Sequence, residues 1–357
     1  MSDTIDKPKD IREGEELEVS VIEPFLKDSI PGLEGPVSIS QFPSGHSNLT
    51  YSISVGKADL VLRRPPFGTK AATAHDMHRE FKVLSALHGA YPYCPKPLAY
   101  TEDESILGCP FYVMERIKGI IIRRDLPEDM PFTPEMAKAL CEEMVDVQAK
   151  LHNIDMHEVG LDTFGKPQGY TRRQVEGWSK RYRKAKTPDA SDCEPIMEWL
   201  AAKMPPDPER ASVLHGDFKM DNVILDPKDP TKIVGVLDWE MATIGNPLMD
   251  LGSTIGYWIQ ADDPPDFQEA RMMPTNMAGA MTRTELIDRY SEKTGIAVTN
   301  FDFYWCFGIF RLIVIAQQIY YRYYHKQTKD ERFAKMIFAV HILSDVCKGI
   351  IEGRLTI

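Results

Sequence analysis

The sequence lacks the cysteine spacing of a disulfide framework or a zinc site. Its 357 residues include six cysteines, and no two of them form a CxxC pair. Scattered cysteines are typical of reduced, buried thiols in a cytosolic protein. The amino-terminal residues are polar and contain no apolar core of the kind that a secretory signal needs. We therefore predict a cytoplasmic protein.

A surplus of positive charge and a long apolar run are also missing. The 42 basic and 53 acidic residues give a formal net charge of −11, whereas nucleic-acid binders usually present a basic face. The longest apolar stretch, residues 301–317, is interrupted by Asp302 and Arg311. We expect it to be too short and too charged to span a bilayer. The sequence thus predicts neither a nucleic-acid partner nor a membrane partner.

Three segments of the chain differ in pattern. Residues 1–34 form an amino-terminal extension, whose polar first part predicts a loose tail or a marginal first helix. Residues 35–116 contain short β-type runs and one helix-like segment. Residues 117–357 are mostly helical in pattern, beginning with a helix capped by Thr133. The outline is a small lobe of strands followed by a larger helical lobe.

The strongest local signal is HGDFKMDN, which runs from His215 to Asn222. Phosphoryl transfer needs a carboxylate near the acceptor hydroxyl and an oxygen ligand on the metal. Asp217 and Asn222 have the spacing of the Asp and Asn in the kinase pattern H-R-D-x-x-x-x-N. We therefore predict Asp217 as the catalytic base and Asn222 as a magnesium ligand. His215 would brace the loop by hydrogen bonding.

A second signal is VLDWE, in which an apolar strand is followed by Asp238. A magnesium carboxylate is expected at such a position, as in the D-F-G element of kinases. Each motif alone has a purely structural alternative. HGD is compatible with an ordinary turn, and Asp238 is compatible with the end of a strand. The order and spacing of the two motifs together favour the kinase interpretation.

The small lobe offers candidate nucleotide contacts. The turn that contains Ser44, Gly45 and Ser47 can lay backbone N–H groups over phosphates, although an ordinary hairpin turn has the same composition. Arg63 occupies the position of the lysine in the kinase strand V-A-I-K. Glu80 on the next helix would be its partner, and an exposed surface ion pair is the alternative.

Five motifs carry a family resemblance: LVLRRPPFG, HREFKVLSAL, FYVMERIKG, VLHGDFKMDNVILD and GVLDWEMATIGNPLMDLG. Their order resembles the aminoglycoside phosphotransferase/choline kinase superfamily, whose members are relatives of the protein kinases. The nearest resemblance is to the branch related to the kinase-like amino-terminal domains of acyl-CoA dehydrogenase family proteins.

The resemblance implies an α+β, protein-kinase-like bilobal fold with a small antiparallel-sheet N-lobe and a larger, mostly helical C-lobe. It implies ATP and Mg²⁺ as cofactors and a hydroxyl group on a small molecule as acceptor. The backbone of Met114, Glu115 and Arg116 would contact the adenine. Asp250 matches an acidic position that we interpret as structural.

One departure from the family pattern concerns the phosphate-binding lysine, which is arginine here, at Arg63 or alternatively Arg64. Arginine can still bind phosphate in a bidentate way. The substitution keeps a second hypothesis open, in which the chain is a pseudokinase that binds ATP without catalysis.

The acceptor is predicted from the last helices. Arg311 and Arg322 fall on one side of a helix that begins near Phe301, and such a basic stripe suits a carboxylate, phosphate or CoA-bearing acceptor. A solvated helix face is the alternative. Residues 246–357 carry 13 acidic and 12 basic residues, too even a balance for a polycationic acceptor. A hydroxyacyl-CoA or hydroxy acid is therefore preferred to an aminoglycoside or choline. A homodimer is a further hypothesis.

Overall fold

The computed structural model describes residues 7–42, 48–67 and 76–357. The chain forms two compact units. The first combines Met1–Ile121 with Asn222–Ala242, and the second combines Ile122–Asp221 with Thr243–Ile357. The predicted boundary after residue 116 therefore differs by five residues from the structural one.

The described residues form nine strands and eleven α-helices. The strands are β1 Val37–Gln41, β2 Leu49–Val55, β3 Ala58–Arg64, β4 Pro97–Thr101, β5 Phe111–Glu115, β6 Ser212–Leu214, β7 Val223–Leu225, β8 Ile233–Val236 and β9 Thr243–Gly245. The helices are α1 Val19–Ser29, α2 Met77–Leu87, α3 Glu104–Leu107, α4 Pro134–His152, α5 Tyr170–Ala185, α6 Glu194–Ala202, α7 Pro247–Gly256, α8 Pro265–Glu269, α9 Arg283–Thr294, α10 Asp302–Tyr324 and α11 Met336–Ile351.

The first unit is built on a five-stranded antiparallel sheet in the order β1-β2-β3-β5-β4. Alternation along β3 separates its two faces, because successive side chains point to opposite sides of a sheet. Leu60 and Leu62 lie in an apolar core that also contains Ile22 and Leu26 of α1. Arg63 points to the other face. The expected separate extension over residues 1–34 thus differs from the structure, since α1 is part of the core.

The chain returns to the first unit after Asp221, contrary to the expectation that all residues beyond 117 form the larger lobe. The antiparallel hairpin of β7 and β8 explains this assignment. Leu225 forms a bridge with Ile120, and the Val236 N–H donates to the Tyr93 carbonyl at 2.8 Å. These are tertiary pairings between segments more than 100 residues apart, so local sequence pattern does not reveal them.

The second unit is mostly helical and carries one small sheet of β6 and β9. The Thr133 side chain caps α4 as predicted, and Pro134 is the first helical residue. Helices α7 and α10 approach closely through Gly252 and Gly308. A Cβ added to either glycine would collide with the backbone of the other helix. This packing fixes the positions of two charged residues, Asp250 on α7 and Arg311 on α10.

Helix α10 is longer than the apolar stretch suggested. With 23 residues it is long and apolar enough to cross a membrane by length and composition, so the expectation that it is too short and too charged was wrong. Within its most apolar window, 78% is buried inside the protein. Such burial is typical of a core helix.

Candidate functional site

In the second unit, the segment after β6 forms a loop, residues 215–221, which we call the Asp217 loop. Gly216 has a φ of +85°, a conformation that glycine adopts without strain. The N–H groups of His215 and Gly216 both donate to the Asp250 carboxylate, at 3.1 and 2.8 Å. One buried side chain of α7 therefore holds the start of the loop.

Asp250 is tied to a second helix as well. Nε2 of His152 on α4 lies 3.0 Å from Asp250 Oδ2, and its Nδ1 lies 2.6 Å from the Tyr290 hydroxyl. Burial alone would raise the pKa of Asp250, but its hydrogen bonds with His152 and the Gly216 N–H hold that pKa below the ordinary value. The ionised Asp250 thus links the backbone of the Asp217 loop to helices α4 and α7. This agrees with the structural role predicted for it.

His215 braces the loop from inside, as predicted. Its ring is fully buried, and Nδ1 accepts a hydrogen bond from the Asp217 N–H at 3.2 Å. An accepting Nδ1 must be unprotonated. Because the ring is buried behind the backbone that it supports, His215 is a positioning residue.

The Asp217 side chain is partly open to solvent, with 17% exposure. The Tyr257 hydroxyl donates to Oδ1 at 3.3 Å, and Lys219 Nζ lies 3.3 Å from Oδ2. Lys219 also lies 3.5 Å from Asp221 Oδ1. A carboxylate held at both oxygens, yet reachable from solvent, is suited to accept a proton from a hydroxyl group.

The charge of Lys219 is stabilised by its surroundings. Burial would lower the pKa of Lys219, but Tyr257, Asp217 and Asp221 together raise it above the ordinary value. Burial raises the pKa of Asp221, and Lys219 partly offsets that effect. Lys219 is therefore a permanent cation beside Asp217.

Sequence reasoning missed Lys219 and Tyr257. Lys219 is visible in the motif itself, two residues after Asp217. Tyr257 is the residue after the end of α7 and follows Asp250 by seven residues, which is two helical turns, so the two side chains face the same direction. That spacing was the available signal.

Arg311 and Arg322 have different environments. Arg311 is buried, and its Nη2 donates to the Gly216 carbonyl at 2.8 Å. Arg322 is exposed near the end of α10, about 16 Å further along the helix at 1.5 Å per residue. The expected continuous basic stripe is therefore wrong, because one of its two arginines is packed against the Asp217 loop.

In the first unit, Arg63, Glu80, Asp238 and Glu240 form a group that we call the Arg63 cluster. Arg63 Nη1 lies 2.8 Å from Glu80 Oε1 and Nη2 lies 3.0 Å from Asp238 Oδ1, with Glu240 Oε2 at 4.0 Å. The predicted Arg63–Glu80 pair is confirmed. It is not a surface pair, because the two side chains are only 10% and 2% exposed.

The carboxylates keep Arg63 charged. Burial would lower the pKa of Arg63, but Glu80 and the other negative groups raise it well above the ordinary value. The alternative residue, Arg64, points to the other face of β3 and lies over the Phe67 ring at 3.7 Å. Arg63 is therefore the arginine that corresponds to the expected phosphate-binding position.

The two predicted magnesium ligands lie at the same end of the β7–β8 hairpin. Val223 pairs with Val236, and the Leu237 N–H donates to the Asn222 carbonyl at 2.8 Å. Asp238 follows in a left-handed conformation, with a φ of 66°, and its side chain is 37% exposed. Amide and carboxylate oxygens suit Mg²⁺, which keeps several waters and binds substrate phosphates.

Within the described ranges, no group of three or more His, Cys, Asp or Glu side chains is arranged to hold a metal. Asn222 falls outside that set of residue types. Magnesium in phosphoryl-transfer sites commonly uses one or two carboxylates together with phosphate oxygens. The Asn222 and Asp238 oxygens fit that pattern.

Two further groups of residues were predicted to contact the nucleotide. Ser44, Gly45 and Ser47 lie outside the described residues. Met114 and Glu115 end β5, opposite Val61 and Leu60 of β3.

Backbone hydrogen bonding limits the predicted adenine contact. The Glu115 N–H donates to the Lys96 carbonyl at 2.8 Å, and the Arg116 N–H donates to the Asp59 carbonyl at 3.2 Å. Both N–H groups are therefore engaged within the first unit. An adenine contact at residues 114–116 would have to use other backbone atoms.

The fold is that of the kinase-like phosphotransferases. A Ralstonia eutropha protein proposed to be an aminoglycoside phosphotransferase superposes with a TM-score of 0.80 at 28% identity, over 95% of this chain and 99% of that one. Choline kinase from Cryptosporidium parvum has a TM-score of 0.61 at 13% identity, over 95% and 98% of the two chains. The second likeness shows the fold alone.

The chain belongs to the phosphotransferase enzyme family, whose model matches residues 38–273. Mouse (Mus musculus) acyl-CoA dehydrogenase family member 10 is 36% identical over 290 residues, which cover 81% of this chain and 27% of that protein. The chain thus spans about a quarter of the length of this relative. The family resemblance is confirmed, together with the similarity to the acyl-CoA dehydrogenase family proteins.

Proposed function

We propose that the protein is an ATP-dependent kinase that transfers the γ-phosphoryl group to a hydroxyl group of a small acceptor. The observation that carries this proposal is the geometry of Asp217. Its carboxylate is held by Tyr257 and Lys219, on a loop whose backbone is tied to Asp250. Membership in the phosphotransferase family supports the same reaction class.

In the proposed reaction, Asp217 accepts a hydrogen bond from the acceptor hydroxyl and takes its proton as the oxygen attacks the γ-phosphorus of ATP. The bond from that phosphorus to the β-phosphate oxygen breaks, and ADP leaves. Tyr257 and Lys219 keep the carboxylate oriented toward that hydroxyl. Asn222 and Asp238 would hold Mg²⁺, which supplies charge neutralisation across the phosphates. Arg63 would add positive charge at the phosphates after exchanging part of its carboxylate contacts.

We prefer a hydroxy acid or a hydroxyacyl-CoA as acceptor. The buried guanidinium of Arg311 lies against the Asp217 loop, whereas the charge of Lys219 is matched by Asp217 and Asp221. Positive charge near the acceptor favours an anionic molecule over an aminoglycoside or choline, because like charges are repelled during association.

A pseudokinase is the second candidate, and one observation favours it. Arg63 stands where the family has a lysine, and three carboxylates already surround it. In this alternative, the guanidinium stays paired with these carboxylates. The chain then binds ATP, but Arg63 does not contact the phosphates as phosphoryl transfer requires. This alternative predicts ATP binding without magnesium-dependent turnover.

The test is ADP release from Mg·ATP with a panel of hydroxy acids, hydroxyacyl-CoAs, choline, homoserine and aminoglycosides. We expect at least one acceptor to give ADP release that EDTA abolishes and that Asp217→Asn lowers by about two orders of magnitude or more. Asp229→Asn, an exposed change in the β7–β8 turn, should retain full activity. ATP binding with no release across the panel would favour the pseudokinase.

A further inference from the structure

In the second unit, the chain that follows α7 is held by a buried ion pair. Arg283, the first residue of α9, contacts both oxygens of Asp263. Its Nη1 lies 2.6 Å from Oδ2, and its Nη2 lies 2.8 Å from Oδ1. Each side chain is only 5% exposed. Such a two-point contact fixes the orientation of the guanidinium as well as its charge. We call Arg283 and Asp263 the Arg283 pair.

The Arg283 pair also binds the main chain directly after Tyr257, the residue that contacts the candidate base. Arg283 Nη1 donates to the Trp258 carbonyl at 3.1 Å. The last carbonyls of a helix lack partners within the helix, and a cation near them interacts favourably with the helix dipole. Because α7 ends at Gly256, Arg283 caps this helix immediately beyond Tyr257.

Two further contacts hold the same stretch of backbone. The Trp258 indole N–H donates to the Met281 carbonyl at 2.9 Å. The Ile259 N–H donates to the Thr275 hydroxyl at 3.2 Å, and that hydroxyl donates to the Ile259 carbonyl at 2.8 Å. The segment that leads into α9 therefore fixes the chain after Tyr257 at several points.

Helix α10 supports this arrangement from the other side. A Cβ added to Gly256 would lie 2.8 Å from the Gly308 carbonyl carbon, so α7 and α10 are in close contact directly before Tyr257. The Arg283 Cζ lies 4.4 Å from the ring centroid of Trp305 on α10, within the range of a cation–π interaction. The same helix thus supports the end of α7 and the arginine that caps it.

The position of Tyr257 matters for two contacts of the Asp217 loop. Its hydroxyl donates to Asp217 Oδ1 at 3.3 Å, and its ring centroid lies 5.1 Å from Lys219 Nζ. Burial and the charge of Asp217 raise the pKa of Tyr257 above its ordinary value, so the hydroxyl stays protonated and remains a donor. Since 3.3 Å is long for a hydrogen bond between two oxygens, a small displacement of the tyrosine is enough to break it.

We propose that Arg283 and Asp263 are positioning residues, which hold Tyr257 where its hydroxyl orients the Asp217 carboxylate. This inference rests on the proposed function, because it names residues that act on the base of that reaction. A buried ion pair is often no more stabilising than packed apolar residues of similar volume. A guanidinium, however, can contact two carboxylate oxygens and the Trp258 carbonyl at once, which an apolar side chain or a lysine cannot do in the same geometry.

The first test is a double-mutant cycle measured as ADP release with the best acceptor. Arg283→Lys keeps the charge without the planar group, and we expect kcat to fall at least about fivefold with the KM for ATP nearly unchanged. In a Tyr257→Phe background the same change should alter kcat by less than about twofold, because the contact that it positions is already absent. Asp263→Glu, which changes the other partner, should show the same pattern.

Arg289→Lys is the matched control, because it makes the same change on the same helix. Arg289 contacts both oxygens of Asp146, at 2.7 and 2.9 Å. Its kcat should equal that of wild type. An equal loss of kcat from Arg283→Lys with and without the Tyr257 hydroxyl would overturn the proposal, since a purely structural role gives that result. An unchanged kcat in Arg283→Lys would also overturn it.

A second measurement needs neither nucleotide nor acceptor. In protein labelled with ¹³C at tyrosine Cζ, the Tyr257 resonance is the one that Tyr257→Phe removes. Arg283→Lys should move this resonance in the same direction as Asp217→Ala does, because both changes weaken the same hydrogen bond. A Tyr257 resonance that keeps its wild-type position in Arg283→Lys contradicts the positioning role. The expected movement in a protein that transfers no phosphoryl group contradicts only the proposed reaction.

Discussion

The Asp217 loop and the Arg63 cluster both contain buried charge, but they use it differently. In the loop, the buried charge of Asp250 binds backbone N–H groups, and the Asp217 side chain is partly open to solvent. In the cluster, the buried charge is that of Arg63, which is the group predicted to contact phosphate. Carboxylates of Glu80 and Asp238 already contact its guanidinium.

The two groups of residues differ in whether they must rearrange before they can act. The loop backbone is preorganised, because the contacts that Asp250 makes with it are distinct from the Asp217 carboxylate that would react. The cluster must exchange partners before Arg63 can contact phosphate. We therefore expect substitutions around Asp250 to act through structure and those at Arg63 to act through both structure and nucleotide binding.

The largest expected effect on stability follows Asp250→Asn. It removes a buried charge that accepts two backbone hydrogen bonds and contacts His152, so we expect the free energy of unfolding at pH 7 to fall by about 3 kcal/mol. Urea unfolding measures this loss, and Asp288→Asn, an exposed change on α9, serves as control. A loss of stability no larger than that of the control would contradict the role of Asp250 in holding the Asp217 loop.

The Asp250 effect also has a defined pH dependence. The pKa of Asp250 is lowered in the folded state, so its stabilisation is fully present above the ordinary carboxyl pKa. It is lost as pH falls through the folded-state pKa. The stability difference between wild type and Asp250→Asn should therefore shrink below about pH 4.

Arg63→Met should cost less, about 2 kcal/mol, because the remaining Glu80 can take up a proton and avoid an unpaired buried charge. The pKa of Glu80 is already raised by burial. Adding Glu80→Gln to Arg63→Met should cost less than the sum of the two single changes in urea unfolding. Lys57→Met, in the exposed turn before β3, is the control. Additive losses would argue against a coupled pair.

Lys219→Gln should affect rate more than stability. Losing the cation beside Asp217 removes a charge-assisted contact, and we expect kcat to fall about tenfold with the KM for ATP nearly unchanged. Lys228→Gln, exposed in the β7–β8 turn, should behave as wild type. An unaltered kcat would show that Lys219 does not orient the base.

The smallest expected effect is that of Arg322→Gln. Arg322 is exposed and lies over the Phe333 ring at 5.8 Å, so stability should change by less than about 0.5 kcal/mol. The KM for an anionic acceptor should stay within about twofold of wild type. A large rise in KM would restore the basic-stripe hypothesis that the burial of Arg311 argues against.

Local motifs predicted much of the candidate site. The spacing of Asp217 and Asn222, the position of Arg63 on a strand and its pairing with Glu80 can be inferred from the sequence because each depends on neighbouring residues or on a simple element order. The antiparallel sheet of the first unit followed from short β-type runs and from the family resemblance, but its strand β4 was not predicted.

Other features depend on contacts between distant segments. His152 and Tyr290 reach Asp250 only because α4, α7 and α9 pack together. The β7–β8 hairpin joins the first unit through a bridge to Ile120. Sequence periodicity gives the type of an element but not the partner on which it packs.

The most direct test of the account is detection of the phosphorylated acceptor by ³¹P NMR, with Mg·ATP and the best acceptor of the panel. Wild-type protein should form an acceptor phosphate ester, and Asp217→Asn should form almost none while it binds ATP with unchanged affinity. An ester formed equally fast by both proteins would contradict the assignment of Asp217 as the base.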